Sequence, residues 1–157
     1  DIFGNISSEY GDIEIDRMLV DAMTTRMVLN PSSIDVVVAT NLHADILSDL
    51  AAALSGSMGI APTANLNPSG NFPSMFEPIH GSAFDIMGKG IANPIGAFWS
   101  ASMMLDHLGE QKAAAELMIA IERLTEEGKF LPRDLNGKAD TVEVADRVIE
   151  LITGQNY

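Results

Sequence analysis

Hydrophobic residues recur with the spacing of an α-helix in five stretches of the chain. The stretch from 110 to 127, for example, places Ala114, Leu117 and Ile121 on one side, and a glycine follows it. The last stretch begins at Thr141, whose side chain suits the N-cap position of a helix. The pattern predicts helices over residues 14–29, 42–54, 94–108, 110–127 and 141–153.

One stretch has a different pattern and predicts a strand. Residues 34–40 are β-branched and apolar at nearly every position. Such a run is typical of a strand inside a sheet that is covered on both faces. Residues 1–12 have the composition of a loop, residues 57–74 predict short strands and turns, and residues 130–131 predict a further short strand.

Residues 76–94 form a long polar loop that contains three glycines and two prolines, and they lie between two apolar regions. Backbone N–H groups around Gly81 can meet a phosphate or a heterocycle, and His80 offers a ring for stacking. Asp85 can accept hydrogen bonds from two ribose hydroxyls. Asn93 and the proline after it predict that the loop ends at a helix N-terminus. The alternative is a structural Ω-loop in which His80 and Asp85 satisfy backbone groups.

Charge and composition exclude several classes of function. The net charge of −13 disfavours binding to the phosphates of nucleic acids. Cysteine is absent, so there is no disulfide framework and no thiolate chemistry. No signal peptide and no apolar run of membrane-spanning length appears, so we expect a cytoplasmic protein without a membrane partner.

Two aspartates, Asp45 and Asp49, lie four residues apart on the predicted helix that follows the apolar strand. Their carboxylates project in one direction and repel each other unless a cation lies between them. Hard oxygen ligands favour Mg²⁺ or Mn²⁺. The alternative is a solvated acidic helix face, which is the more common meaning of such spacing taken alone.

The polar loop resembles the adenosine-binding loop of the β-decarboxylating dehydrogenases, the group that acts on isopropylmalate, isocitrate, tartrate and D-malate. Residues 80–94 read H-G-S-A-F-D-I-M-G-K-G-I-A-N-P and follow the family pattern, except that Phe84 stands where proline is usual. The resemblance implies that the loop binds NAD, and that Asp85 with Ile86 selects NAD over NADP. The cofactor-binding residues that it implies are Gly59, Glu77, His80, Gly81, Ser82, Ala83, Asp85, Ile86 and Asn93.

The acidic residues resemble the metal ligands of the same family. Residues 41–50, N-L-H-A-D-I-L-S-D-L, resemble its metal-binding motif, with His43 and Ala44 in place of the usual Phe-Gly. V-D-A-M at 20–23 resembles the segment that supplies a third aspartate. The resemblance implies that Asp45 and Asp49 bind Mg²⁺ or Mn²⁺. It also implies that Asp21 reaches the metal of a partner subunit, so that a homodimer is expected.

The resemblance implies a fold, a division into domains and an activity. The fold is α/β, of the three-layer αβα isopropylmalate-dehydrogenase-like architecture, and this chain resembles its C-terminal part. Residues 1–55 would belong to the small dimerisation and metal-binding domain, and residues 56–157 to the large cofactor-binding domain. The activity is oxidative decarboxylation of a 2-hydroxy dicarboxylic acid.

The resemblance says less about the substrate branch of the family and about the catalytic residues. Residues 63–68 and 72–74 resemble the tartrate and D-malate branch more than the isopropylmalate branch. The family's catalytic Tyr and Lys and its substrate-binding Arg residues have no counterpart in this chain. We therefore expect the chain alone to be inactive. The alternative function is a catalytically dead module that dimerises and binds nucleotide or metal.

Overall fold

The structure, a computed structural model, describes residues 2–154. Two compact units divide the chain, Asp1–Ser48 and Asp49–Tyr157, and the boundary falls within one helix. The domain boundary expected from the resemblance, after residue 55, lies at the end of the same helix and stays a prediction. Among residues 2–154, no helix is both long and apolar enough to cross a membrane.

The first unit contains helices α1 (Ile2–Ser7) and α2 (Val20–Leu29) and the beginning of α3 (Asn41–Leu54). Two predictions were wrong here: part of the expected loop over residues 1–12 is helical, and the helix expected from residue 14 begins at Val20. Residues 13–16 alternate apolar and acidic side chains, a period that suits extended backbone better than a helix.

The strand predicted over residues 34–40 is not formed. In residues 2–154 the segment has no neighbouring strand, so it lacks the ladder of hydrogen bonds that defines a sheet. Val36 and Val38 are 84% and 75% exposed instead of buried. The β-branched composition therefore marks a segment suited to a sheet, but strand formation also requires a pairing partner.

The second unit packs three helices and a small sheet. Strands β1 (Pro62–Asn65) and β2 (Met75–Pro78) pair antiparallel, with Thr63 opposite Glu77. Helices α4 (Ile95–His107), α5 (Gln111–Glu127) and α6 (Thr141–Thr153) follow, and α4 packs against both strands and α5. The core that joins these elements consists of Ile95, Ala120, Ile121, Leu124, Ala139, Val144 and Val148.

The ends of these helices follow local chemistry. Gly128 and Gly154 adopt left-handed backbone conformations after α5 and α6, as the glycine stop signals predict. The N-cap of α6 is Asp140 and not the predicted Thr141, because Asp140 and Glu143 form a reciprocal capping box. Residues 130–131 form no strand; an isolated bridge joins Pro132 and Ala139 instead.

Candidate functional site

The polar loop begins where β2 ends and finishes at the N-terminus of α4. Ile79 N–H donates to the Ala61 carbonyl at 3.0 Å, which extends the pairing of β2 by one residue. Glu77 lies on β2 with an exposed side chain. At the other end the Asn93 Oδ1 atom accepts a hydrogen bond of 2.9 Å from Ile95 N–H. The Asn93 side chain therefore satisfies the first N–H of α4, although the N-cap position itself is Pro94. The loop ends at a helix N-terminus, as predicted, and both of its ends are fixed.

The middle of the loop is a series of tight turns. Ala83 has a φ of 43°, which a residue with a Cβ rarely adopts. Its carbonyl accepts from Ile86 N–H at 3.0 Å, and the Ile86 carbonyl accepts from Lys89 N–H at 3.1 Å. Gly88 and Gly90 supply the further positive φ values of 72° and 66°. These turns compact the loop without regular secondary structure.

Thr141, at the start of α6, holds the second half of the loop. Its N–H donates to the Gly90 carbonyl at 2.9 Å, and its hydroxyl donates to the Ala92 carbonyl at 2.6 Å. Sequence reasoning assigned Thr141 to capping α6. The structure gives it a different role, because it connects α6 to the end of the polar loop.

Several groups that the resemblance assigned to nucleotide binding are open to solvent. Gly81, Ser82, Ala83 and Asp85 are exposed, whereas Ile86 is half-buried. The structure gives Asp85 no hydrogen bond or ion pair with any other described residue, so its carboxylate is open to a ligand. The half-buried His80 differs: its Nδ1 lies 3.1 Å from the Gly81 carbonyl, within the loop itself.

Gly59 meets the loop through a residue that sequence reasoning missed. Asp134 Oδ2 accepts hydrogen bonds from the Ser57 hydroxyl and, at 2.9 Å, from Asn93 Nδ2. A Cβ at Gly59 would lie 2.5 Å from the same Oδ2 atom, so a larger residue there would displace the Asp134 carboxylate. The D-L-N-G sequence that begins at Asp134 signals a turn, but not contacts with residues so distant in the chain.

The predicted metal ligands are exposed on their helices. Asp45 and Asp49 are one turn apart on α3, and Asn41 Nδ2 donates to Asp45 Oδ2 at 3.2 Å. Asp21 is in the first turn of α2, where its Oδ1 accepts from Ala22 N–H at 2.9 Å. Within residues 2–154 no group of three or more His, Cys, Asp or Glu side chains could hold a metal ion. The metal ligands remain a prediction.

A cavity of about 680 Å³ lies in the first unit. Its walls include Phe3, Tyr10 and Ile15, together with Val36 and Val38 of the unpaired segment. The lining is largely apolar and includes side chains of the unpaired segment, but the charged residues Glu14, Asp16 and Arg17 also line it.

Comparison with known proteins identifies the family. The isocitrate/isopropylmalate dehydrogenase family model matches residues 1–150. A probable tartrate dehydrogenase/decarboxylase of Agrobacterium vitis is 62% identical over 99% of this chain and 43% of its own length. The decarboxylating D-malate dehydrogenase of Escherichia coli is 47% identical over 94% of this chain and 42% of its own.

Solved structures agree with this result. Isocitrate dehydrogenase from Methylococcus capsulatus superposes with a TM-score of 0.91 at 42% identity, over 96% of this chain and 44% of that one. This chain thus spans less than half the length of these relatives. The family and α/β fold class expected from the motifs are confirmed, and this chain corresponds to part of that fold. The chain therefore belongs to the isocitrate/isopropylmalate dehydrogenase family.

Proposed function

We propose that this chain is the C-terminal part of an NAD- and divalent-metal-dependent oxidative decarboxylase of a 2-hydroxy dicarboxylic acid. The candidate substrates are tartrate, D-malate and 3-isopropylmalate. The proposal is supported above all by the polar loop, which is held at both ends and presents an unpartnered Asp85 carboxylate to solvent. The names of the relatives from Agrobacterium vitis and Escherichia coli favour tartrate or D-malate.

NAD is the proposed nucleotide. Asp85 accepts the adenosine ribose hydroxyls, since an ionised carboxylate can accept hydrogen bonds from both. A 2′-phosphate, as in NADP, would place a second negative charge beside Asp85 and bind less well. Gly59, Glu77, His80, Gly81, Ser82, Ala83, Ile86 and Asn93 complete the proposed site.

Mg²⁺ or Mn²⁺ is the proposed metal, and the donor set fits such an ion. Neither Asp45 nor Asp49 forms an ion pair with another described residue, so the helix carries two like charges without compensation. Among residues 2–154 no third side chain joins Asp45 and Asp49 in a metal-binding group, so we propose that Asp21 of a second copy completes the set. A bound divalent cation would acidify the substrate hydroxyl and stabilise the enolate that decarboxylation leaves.

The chain's own residues supply binding and not proton transfer. The family's catalytic Tyr, Lys and substrate Arg residues were not identified in the sequence. Arg26 is near Asp21 in sequence, but its guanidinium is engaged by Asp16 at 3.0 Å and by Ser33. We therefore propose that activity requires residues that these 157 do not include.

Calorimetric titration with Mn²⁺ tests the metal proposal. Asp45→Asn and Asp49→Asn should each weaken Mn²⁺ binding at least tenfold, about 1.4 kcal/mol, because each removes a charged ligand. Asp146→Asn is the control, since Asp146 is an exposed aspartate on α6 without a proposed role. Unchanged affinity in both α3 variants would reject these ligands.

A second candidate function is a dimerising module without catalysis. Large apolar side chains are exposed on or beside α2 and α3, among them Leu19 at 77% and Ile46 at 51%. Such surfaces are typical of association sites. Sedimentation at micromolar concentration should give a dimer that Ile46→Asp shifts toward monomer. A monomeric parent chain would reject dimerisation through these helices.

A further inference from the structure

Asp134 lies outside the polar loop, yet one of its oxygens is the point where three segments of the second unit meet. Asp134 Oδ2 accepts from the hydroxyl of Ser57, which is only 8% exposed, and from Asn93 Nδ2 at 2.9 Å. The turn at Gly59 passes so close that its N–H donates to Ser57 Oγ at 2.9 Å. A single carboxylate oxygen therefore ties the Gly59 turn to the end of the loop.

The same contacts fix the orientation of the Asn93 amide. Asn93 Oδ1 accepts from Ile95 N–H at 2.9 Å, and Nδ2 donates to Asp134. A flipped amide would place its oxygen against the carboxylate and its NH₂ group against a backbone donor. The carboxylate thus selects one orientation of Asn93, at the residue where the loop joins α4.

The segment that carries Asp134 is itself well supported. Gly137 N–H donates to the Pro132 carbonyl at 2.9 Å, and Ala139 N–H donates to the Leu131 carbonyl at 3.0 Å. Thr141 follows directly and holds two further carbonyls of the loop. Asp134 therefore lies on a rigid turn, which suits a residue that positions others.

We propose that Asp134 is a positioning residue of the nucleotide site, acting through Asn93 and the Gly59 turn. The inference rests on the proposed binding of NAD by the polar loop. The Asp134 carboxylate, 41 residues from Asn93 in sequence, sets the conformation from which the loop binds nucleotide.

The first test needs no nucleotide. In ¹⁵N-correlated NMR spectra, the side-chain amide of Asn93, assigned by its loss in Asn93→Ser, should shift and lose protection from exchange in Asp134→Ala. Glu127→Ala is the control, because it removes an ion pair of the same unit far along the chain from the loop. An Asn93 amide that is unaffected by Asp134→Ala would overturn the positioning role.

The second test is a double-mutant cycle on NAD affinity. Asp134→Ala and Asn93→Ala should each weaken NAD binding roughly tenfold, and the double variant should weaken it by clearly less than the product of the two losses, because both variants remove the Asn93–Asp134 hydrogen bond. Additive losses would overturn the proposal. Asp134→Asn keeps the shape and one acceptor oxygen, so it should recover part of the NAD affinity. It replaces Asp134→Ala in the cycle if that variant fails to fold.

The two tests also separate this inference from the function on which it rests. A parent chain that does not bind NAD would overturn the nucleotide proposal together with the role of Asp134 in it. Normal NAD binding in the parent with an undisturbed Asn93 amide in Asp134→Ala would overturn the positioning role alone.

Discussion

Gly137 is the residue of the second unit where one added methyl group should cause most damage. A Cβ built there would lie 1.8 Å from the Leu131 carbonyl oxygen and 2.3 Å from the Leu131 carbonyl carbon. Backbone atoms cannot rotate away as a side chain can, so the two stretches must separate by about 1 Å before the methyl group fits. Pro132 and Ala139, which are buried on either side, would move with them.

The expected loss in the free energy of unfolding follows from the interactions that this separation breaks. The hydrogen bonds from Gly137 N–H and Ala139 N–H each contribute about 1 kcal/mol, and the displaced core adds a similar amount. We expect Gly137→Ala to lower the free energy of unfolding by about 2–4 kcal/mol. Because this segment carries Asp134 and Thr141, we also expect weaker nucleotide binding.

Urea denaturation followed by the fluorescence of Trp99, the single tryptophan, measures this change, since Trp99 packs against the core. Gly128→Ala is the matched control. Gly128 has open space for a Cβ but a φ of 66°, so the variant should lose only about 1 kcal/mol. A Gly137→Ala variant as stable as Gly128→Ala would refute the steric argument.

Two further predictions concern stability. The hydrogen bond from Arg147 holds the pKa of Glu127 below its ordinary value of 4.5. The ion pair therefore stabilises the fold above pH 4.5, and this stabilisation is lost as the pH falls through the lowered pKa. Glu127→Gln should therefore be less stable than the parent at pH 7, and thermal melts should show the difference shrinking below about pH 4.5; a constant difference would contradict this. Asp140→Ala should lower unfolding free energy by about 1 kcal/mol through loss of the α6 cap, whereas Asp146→Ala should not.

The second unit was largely predictable because its signals are local. Helices α4 and α5 begin and end within one residue of the positions that periodicity and glycine stops predicted. The predicted N-cap of α6 was wrong by one residue, although Asp140 and Glu143 have the spacing of a capping box in the sequence. The motif also located the polar loop, but only the coordinates identify Asp85 as unpartnered.

Features that depend on distant residues were not predictable. Asp134 is 77 residues from Ser57 and 41 from Asn93, and no periodicity connects them. The strand predicted over residues 34–40 was wrong for a related reason: strand formation depends on a pairing partner elsewhere in the sequence. Its β-branched composition suits the inside of a sheet, but no strand among the described residues pairs with it.

The most direct measurement is competitive binding of NAD and NADP to the purified chain. If Asp85 accepts the ribose hydroxyls, NAD should bind at least several-fold more tightly than NADP, because the 2′-phosphate would repel the carboxylate. Asp85→Lys combined with Ile86→Tyr should move the preference toward NADP. Equal affinity for the two nucleotides in the parent chain, or binding of neither, would contradict the proposed NAD site.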